Sequence, residues 1–143
     1  MSLSLIHIER QDYDAALCAR EEALAIYELT NAAQQIAYAL ASLGEVYVLK
    51  KEWNHADSFY QRALAGFEKA GDEFGLATVH NSMGDVAALR EQNARACALW
   101  KLASMRFASM GMSELSTNID AKIQAKQSLA LRANPTPTEA YSS

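Results

Sequence analysis

The side chains able to do chemistry are few and scattered. His7, His55 and His80 have no metal-ligand spacing between them. Cys18 and Cys97 stand far apart in alanine-rich text, with no histidine or basic cluster near either in sequence. They read as small apolar packing residues of a reduced, cytoplasmic protein rather than as nucleophiles or a disulfide. No nucleophile stands beside a base, no paired carboxylates suggest acid–base work, and no Gly-rich phosphate loop occurs. The expectation is a chain that is not an enzyme and uses neither a cofactor nor a metal. Nucleic acid is not expected as a partner, because the net charge is −4 and the thirteen Lys and Arg are dispersed. Trp53, Tyr60 and Trp100 read as core aromatics, not base-stacking platforms.

The elements that must position these groups follow from the punctuation. In 143 residues, half of them apolar, both prolines fall at 135 and 137. A chain of this size buries roughly 65–70% of its unfolded surface, which excludes a disordered or collagen-like molecule. Ala, Leu, Glu, Gln and Lys dominate, so residues from about Leu3 to Arg132 read as helices joined by short turns, without strands. Apolar runs are only a few residues long, so no membrane span is expected, and the start of the chain lacks the features of a signal peptide.

The glycines give the organisation. The step from Gly44 to Gly84 equals that from Gly71 to Gly111, a period of 40. In the same frame Ala37 matches Ala77, Val46 Val86, Ala56 Ala96, Ala63 Ala103 and Phe67 Phe107. Tyr60 and Trp100 share an aromatic slot, and His80 falls where Leu40 stands, as a packing residue. Each repeating unit then holds two helices, about 33–50 and 54–70 in the middle unit, with Asp14 and Asn54 as N-caps. Gly71, Gly111 and Asn31 would end second helices in the left-handed conformation, and Asp72 and Ser113 restart the chain.

Leu40-x-x-Leu43-Gly44-x-x-Tyr47 followed by Ala56, Tyr60 and Ala63, with Met83-Gly84, Ala96, Trp100 and Ala103 one period on, resembles the tetratricopeptide repeat. The period of 40 differs from the common form of about 34 residues, and Glu68 and Ala108 stand where its proline ends the second helix. The chain is similar instead to the family's long-repeat branch. The resemblance implies an all-α fold, an αα-hairpin superhelix (an α-solenoid) of about seven helices in roughly 3.3 repeats. Its parts would be a partial repeat at 3–31, repeats at 32–71 and 72–111, a capping helix at 113–132 and a disordered tail at 133–143. In the capping helix Leu115, Ile119, Ile123 and Leu129 form one stripe, and Gln124 takes the Gly44 position.

Functionally, the resemblance implies a protein-binding scaffold whose first helices line a concave groove. Carried over by position, repeat two offers Tyr38, Ser42, Glu45 and Leu49, repeat three offers Thr78, Asn81, Ser82, Asp85 and Leu89, and the capping helix adds Lys122. The family's clamp for a C-terminal carboxylate keeps only Asn81, so capture of an acidic tail is not expected. Glu45 and Asp85 occupy equivalent positions; either they face a basic peptide or protein, or both are simply solvated. Met105, Met110 and Met112 either pack against the last helix or form an adaptable binding surface. Uncovered Leu5, Ile6 and Ile8 near the start predict self-association there, or a longer protein that covers them. The alternative function is a sensory or regulatory segment of a larger signalling or transcription-regulating protein.

Overall fold

The computed structural model describes residues 3–30 and 32–133, with side chains over 13–29 and 32–132. Asn31, the tail beyond Ala133 and the side chains of Leu5, Ile6 and Ile8 therefore lie outside the described parts. Among the described residues the fold is all-helical, with six helices and no strands: α1 Leu3–Thr30, α2 Ala33–Leu49, α3 Trp53–Ala70, α4 Glu73–Leu89, α5 Asn93–Ser109 and α6 Ser113–Ala133. The expected count of seven falls to six because α1 runs unbroken through Gln11 and Asp14 for 28 residues. A turn there would put Gln11 in the left-handed region, a strain that a helix running straight through does not carry. Asp14 is thus not an N-cap; its carboxylate instead meets Lys50 Nζ at 3.3 Å.

The turns that follow α2, α3, α4 and α5 share one construction. After α2 the Lys51 amide donates to the Val48 carbonyl and the Glu52 amide to the Tyr47 carbonyl, each at 2.9 Å. The same pair of bonds closes α3 through Gly71 and Asp72, α4 through Glu91 and Gln92, and α5 through Gly111 and Met112. This is the Schellman closure, which needs one residue in the left-handed region. That residue is Lys51 (φ 61°), Gly71 (70°), Glu91 (59°) or Gly111 (77°), one at every half-period. The next residue starts the following helix: the carbonyls of Glu52, Asp72, Gln92 and Met112 accept from Ala56, Leu76, Ala96 and Ser116. Backbone closure therefore places the start of α3 at Trp53, and Asn54 lies inside the helix instead of capping it. Asp72 alone among these residues adds a side-chain cap, its Oδ1 accepting the Gly75 amide at 2.9 Å.

The chain divides into two compact units, 1–79 and 80–143. In the first, α2 packs on α3 and α1 on α2. Its core is Leu17, Leu24, Ala37, Leu40, Leu43, Val46, Ala56, Tyr60, Ala63, Phe67, Leu76, Ala77 and Val79, all at most 9% exposed. Small residues admit large rings. A Cβ at Gly44 would stand 3.0 Å from the Tyr60 ring, and one at Gly75 only 2.3 Å from Phe67.

The second unit buries Met83, Ala87, Ala96, Trp100, Ala103, Phe107 and Ile119. Here a Cβ at Gly84 would stand 2.4 Å from Trp100. α6 packs on α5 through a polar knot in which the Ser104 hydroxyl lies 2.9 Å from that of Ser116 and donates to Asp120 Oδ1 at 2.6 Å. The stripe expected along α6 is only partly buried. Ile119 is covered, whereas Leu115 and Leu129 are 41% and 54% exposed. From Gln124 to Arg132 every position of α6 except Lys126 is exposed.

Candidate functional site

In the first unit, α1 and α2 enclose a cleft of about 400 Å³ lined by Arg20, Ala23 and Tyr27 from α1 and Gln35, Tyr38, Ala39 and Ser42 from α2. The spacing explains the lining: 20, 23 and 27 fall on one face of α1, and 35, 38, 39 and 42 on one face of α2. Arg20 Nη1 donates to the Ser42 carbonyl at 2.6 Å, which fixes the guanidinium at the edge of the cleft. Tyr38 is also held. Its ring meets Phe67 edge-on at 4.7 Å, and its hydroxyl donates to Asp72 Oδ2 at 3.1 Å, where the Gln34 amide also donates at 2.8 Å.

This network shifts two groups. Burial raises the Tyr38 hydroxyl, and the neighbouring Asp72 raises it further. For Asp72, burial acts to raise the carboxyl, but hydrogen bonds from the Gly75 amide, Gln34, Tyr38 and the Phe74 backbone more than offset it. The Asp72 carboxyl therefore lies below its ordinary value.

The groove positions named from sequence divide by unit. In the first, Tyr38 and Ser42 line the cleft. Glu45 and Leu49 are exposed further along α2, and Glu45 has no ion pair among the described residues. The Thr78 hydroxyl turns back on the Phe74 carbonyl at 2.8 Å. In the second unit, Lys122 Nζ bonds both Asn81 Oδ1 and Asp85 Oδ1 at 2.8 Å and lies 5.1 Å from the Trp100 ring centroid. The Trp100 indole also donates to Asp85 at 3.0 Å. Asp85 is therefore occupied by the chain's own cation, and the paired-acid reading retains only Glu45 as a free carboxylate. Ser82 is half-buried, and Leu89 is 67% exposed.

Sequence reasoning missed two features. Arg20 lies on α1, outside the first-helix rows that the repeat frame assigns to the groove, and its pairing with Ser42 on the next helix carries no motif. The second is an aromatic cluster in which the Tyr47 ring stacks with both His55 at 5.1 Å and Phe59 at 5.3 Å. Its members come from two helices, so only the hairpin brings them together.

The other candidates separate further. Cys18 is exposed and Cys97 half-buried, both free thiols, so Cys18 is not the packing residue expected. Trp53 is half-buried at the start of α3, while Tyr60 and Trp100 are core. Met105, 61% exposed, does not pack under α6. No group of three or more His, Cys, Asp or Glu among the described residues could hold a metal ion, and no described helix is long and apolar enough to cross a membrane.

No family model matches the chain, and no curated protein matches it. Among solved structures, the chain is similar to the crystal structure of BtubC (BKLC) from P. vanneervenii, with a TM-score of 0.59 and 15% identity. The likeness covers 89% of this chain and 61% of that one, so this chain spans about three-fifths of that length. At this identity the likeness concerns the fold alone.

Proposed function

We propose that the chain is a non-catalytic protein–protein interaction scaffold, a tetratricopeptide-like α-solenoid that binds a peptide or partner protein. The observation that carries the reading is the open α1–α2 cleft, lined by two tyrosines and an arginine, with Arg20 and Tyr38 fixed by hydrogen bonds. Pre-positioned aromatic and Arg side chains are the usual anchors of polypeptide recognition. The long-period frame and the turn residues at each half-period support the repeat reading, and two free thiols suit a reducing, cytoplasmic setting. A preference for basic partners would rest on Glu45 alone, since Lys122 takes Asp85.

The test is affinity purification with quantitative mass spectrometry, comparing the chain with a variant carrying Gln35→Arg and Ser42→Arg in the cleft. The expected result is a partner retained by the parent and lost with the blocked cleft. Equal recovery on both would overturn the reading. Self-association has its own support in Ile26 and Leu29, 60% and 88% exposed on α1. Light scattering at high micromolar concentration should then show a mass above the monomer; a strictly monomeric mass would count against it.

A further inference from the structure

Building on the reading of the α1–α2 cleft as a docking site, we propose that its occupant is a partner polypeptide segment presenting a carboxylate beside an aromatic or aliphatic group, with Arg20 receiving the carboxylate. Arg20 is half-buried at the cleft, and one of its five N–H donors goes to the Ser42 carbonyl. No carboxylate pairs with it among the described residues. Asp72, which holds the cleft residue Tyr38, takes Gln34, Tyr38 and the Gly75 amide, and Asp14 on α1 takes Lys50. A partly desolvated guanidinium with N–H groups unclaimed among the described residues is completed best by a carboxylate, which can accept two parallel bonds.

The walls decide what accompanies that carboxylate. Ala23 and Ala39 present methyl groups and Tyr27 and Tyr38 present rings. A bare inorganic anion would satisfy Arg20 and leave these walls wet, whereas an acidic residue flanked by an apolar side chain covers both. Tyr38 is already held by Asp72 and Phe67, so little ordering is needed on binding. Glu45, one helical turn beyond Ser42, is exposed and repels a second acid on that side. The preferred segment therefore has one acid at Arg20 and neutral or basic residues toward Glu45.

The test selects binders to the full chain from a phage-displayed random peptide library, then measures synthetic versions by fluorescence anisotropy. Selected peptides should be enriched in Asp or Glu next to an apolar residue. Changing that acid to its amide, or Arg20→Gln, should each weaken binding about tenfold or more, and the two losses should not add. Arg20→Lys, which keeps the charge but not the fork, should fall between. C-amidated peptides with an internal acid and neutral peptides with a free C-terminus separate the two sources of carboxylate. Thermal melts of each variant distinguish a folding defect from lost recognition. Peptides that bind parent and Arg20→Gln alike, yet are lost with the Gln35→Arg and Ser42→Arg block, would overturn the role of Arg20 while leaving the docking site. A library yielding no binder sensitive to the block would overturn both.

Discussion

The two units treat equivalent acidic positions in opposite ways: Glu45 is exposed with no ion pair among the described residues, whereas its counterpart Asp85 is held by Lys122. In the first, Tyr38 and Ser42 border an open cleft in which Arg20 has no carboxylate partner among the described residues. In the second, Asn81 and Asp85, one period on from Ala41 and Glu45, are bridged by Lys122, which also covers Trp100. Equivalent backbone thus leaves one row available and fills the other from within. The repeat frame sets where a side chain stands, and the neighbouring helix sets whether it is free.

The sharpest way to test this contrast is through the glycines beneath the two aromatic slots. At Gly84 an added methyl would fall 2.4 Å from buried Trp100, whose indole is tied to Asp85, so the ring has no easy retreat. At Gly44 the approach to Tyr60 is 3.0 Å, which a small ring shift relieves. Gly84→Ala should cost about 1–3 kcal/mol by overpacking, Gly84→Trp more, and Gly44→Ala under about 1 kcal/mol. Urea melts give the comparison, and equal losses at the two glycines would remove it.

Next in size is Asp72, the side-chain cap of α4. Asp72→Ala should cost about 1–2 kcal/mol in chemical denaturation at neutral pH. Its pH dependence has a definite sign. The folded carboxyl lies below its ordinary value of 3.8, so its contribution is complete above that value and is lost as pH falls through the depressed folded one. Asp72→Asn keeps a cap without a charge. The stability difference between parent and Asp72→Asn should shrink as acid is added, and a difference constant down to pH 2 would contradict the assignment.

The helix ends were partly legible for a physical reason. Gly71 and Gly111 announce their turns because glycine accepts positive φ without strain. Lys51 and Glu91 make the same turn with no such mark, at φ 61° and 59°. The half-period is hidden for that reason, and no residue type distinguishes Gln11, which continues α1, from Lys51, which turns the chain one period on. Core positions such as Ala56, Ala63 and Phe67 were readable from the period. Arg20 and the cleft were not, since a pairing between two helices depends on how α1 lies on α2.

Those turns give a smaller, two-signed prediction. Lys51→Gly and Glu91→Gly should each stabilise by up to about 1 kcal/mol, by relieving left-handed strain. Gly71→Ala and Gly111→Ala should each cost about 1 kcal/mol for the same reason. No atom lies within 4 Å of a Cβ at either glycine, so the effect is conformational rather than steric. Melting temperatures should move in opposite directions for the two pairs.

The smallest effect probes the filled row itself. Lys122 and Asp85 side chains are 36% and 50% exposed, so their ion pair is screened and Lys122→Ala should cost less than about 1 kcal/mol, diminishing as salt is added. Fluorescence is the more telling readout. Removing an ammonium 5.1 Å from the Trp100 ring while leaving its indole bonded to Asp85 should change the emission without unfolding the chain. The same substitution returns Asn81 and Asp85 to solvent as acceptors, so free lysine amide added to Lys122→Ala should move the emission back toward that of the parent. An added amine that shifts parent and variant equally would mean that Lys122 does not hold the site closed, and the contrast between the two rows would fail at its weaker end.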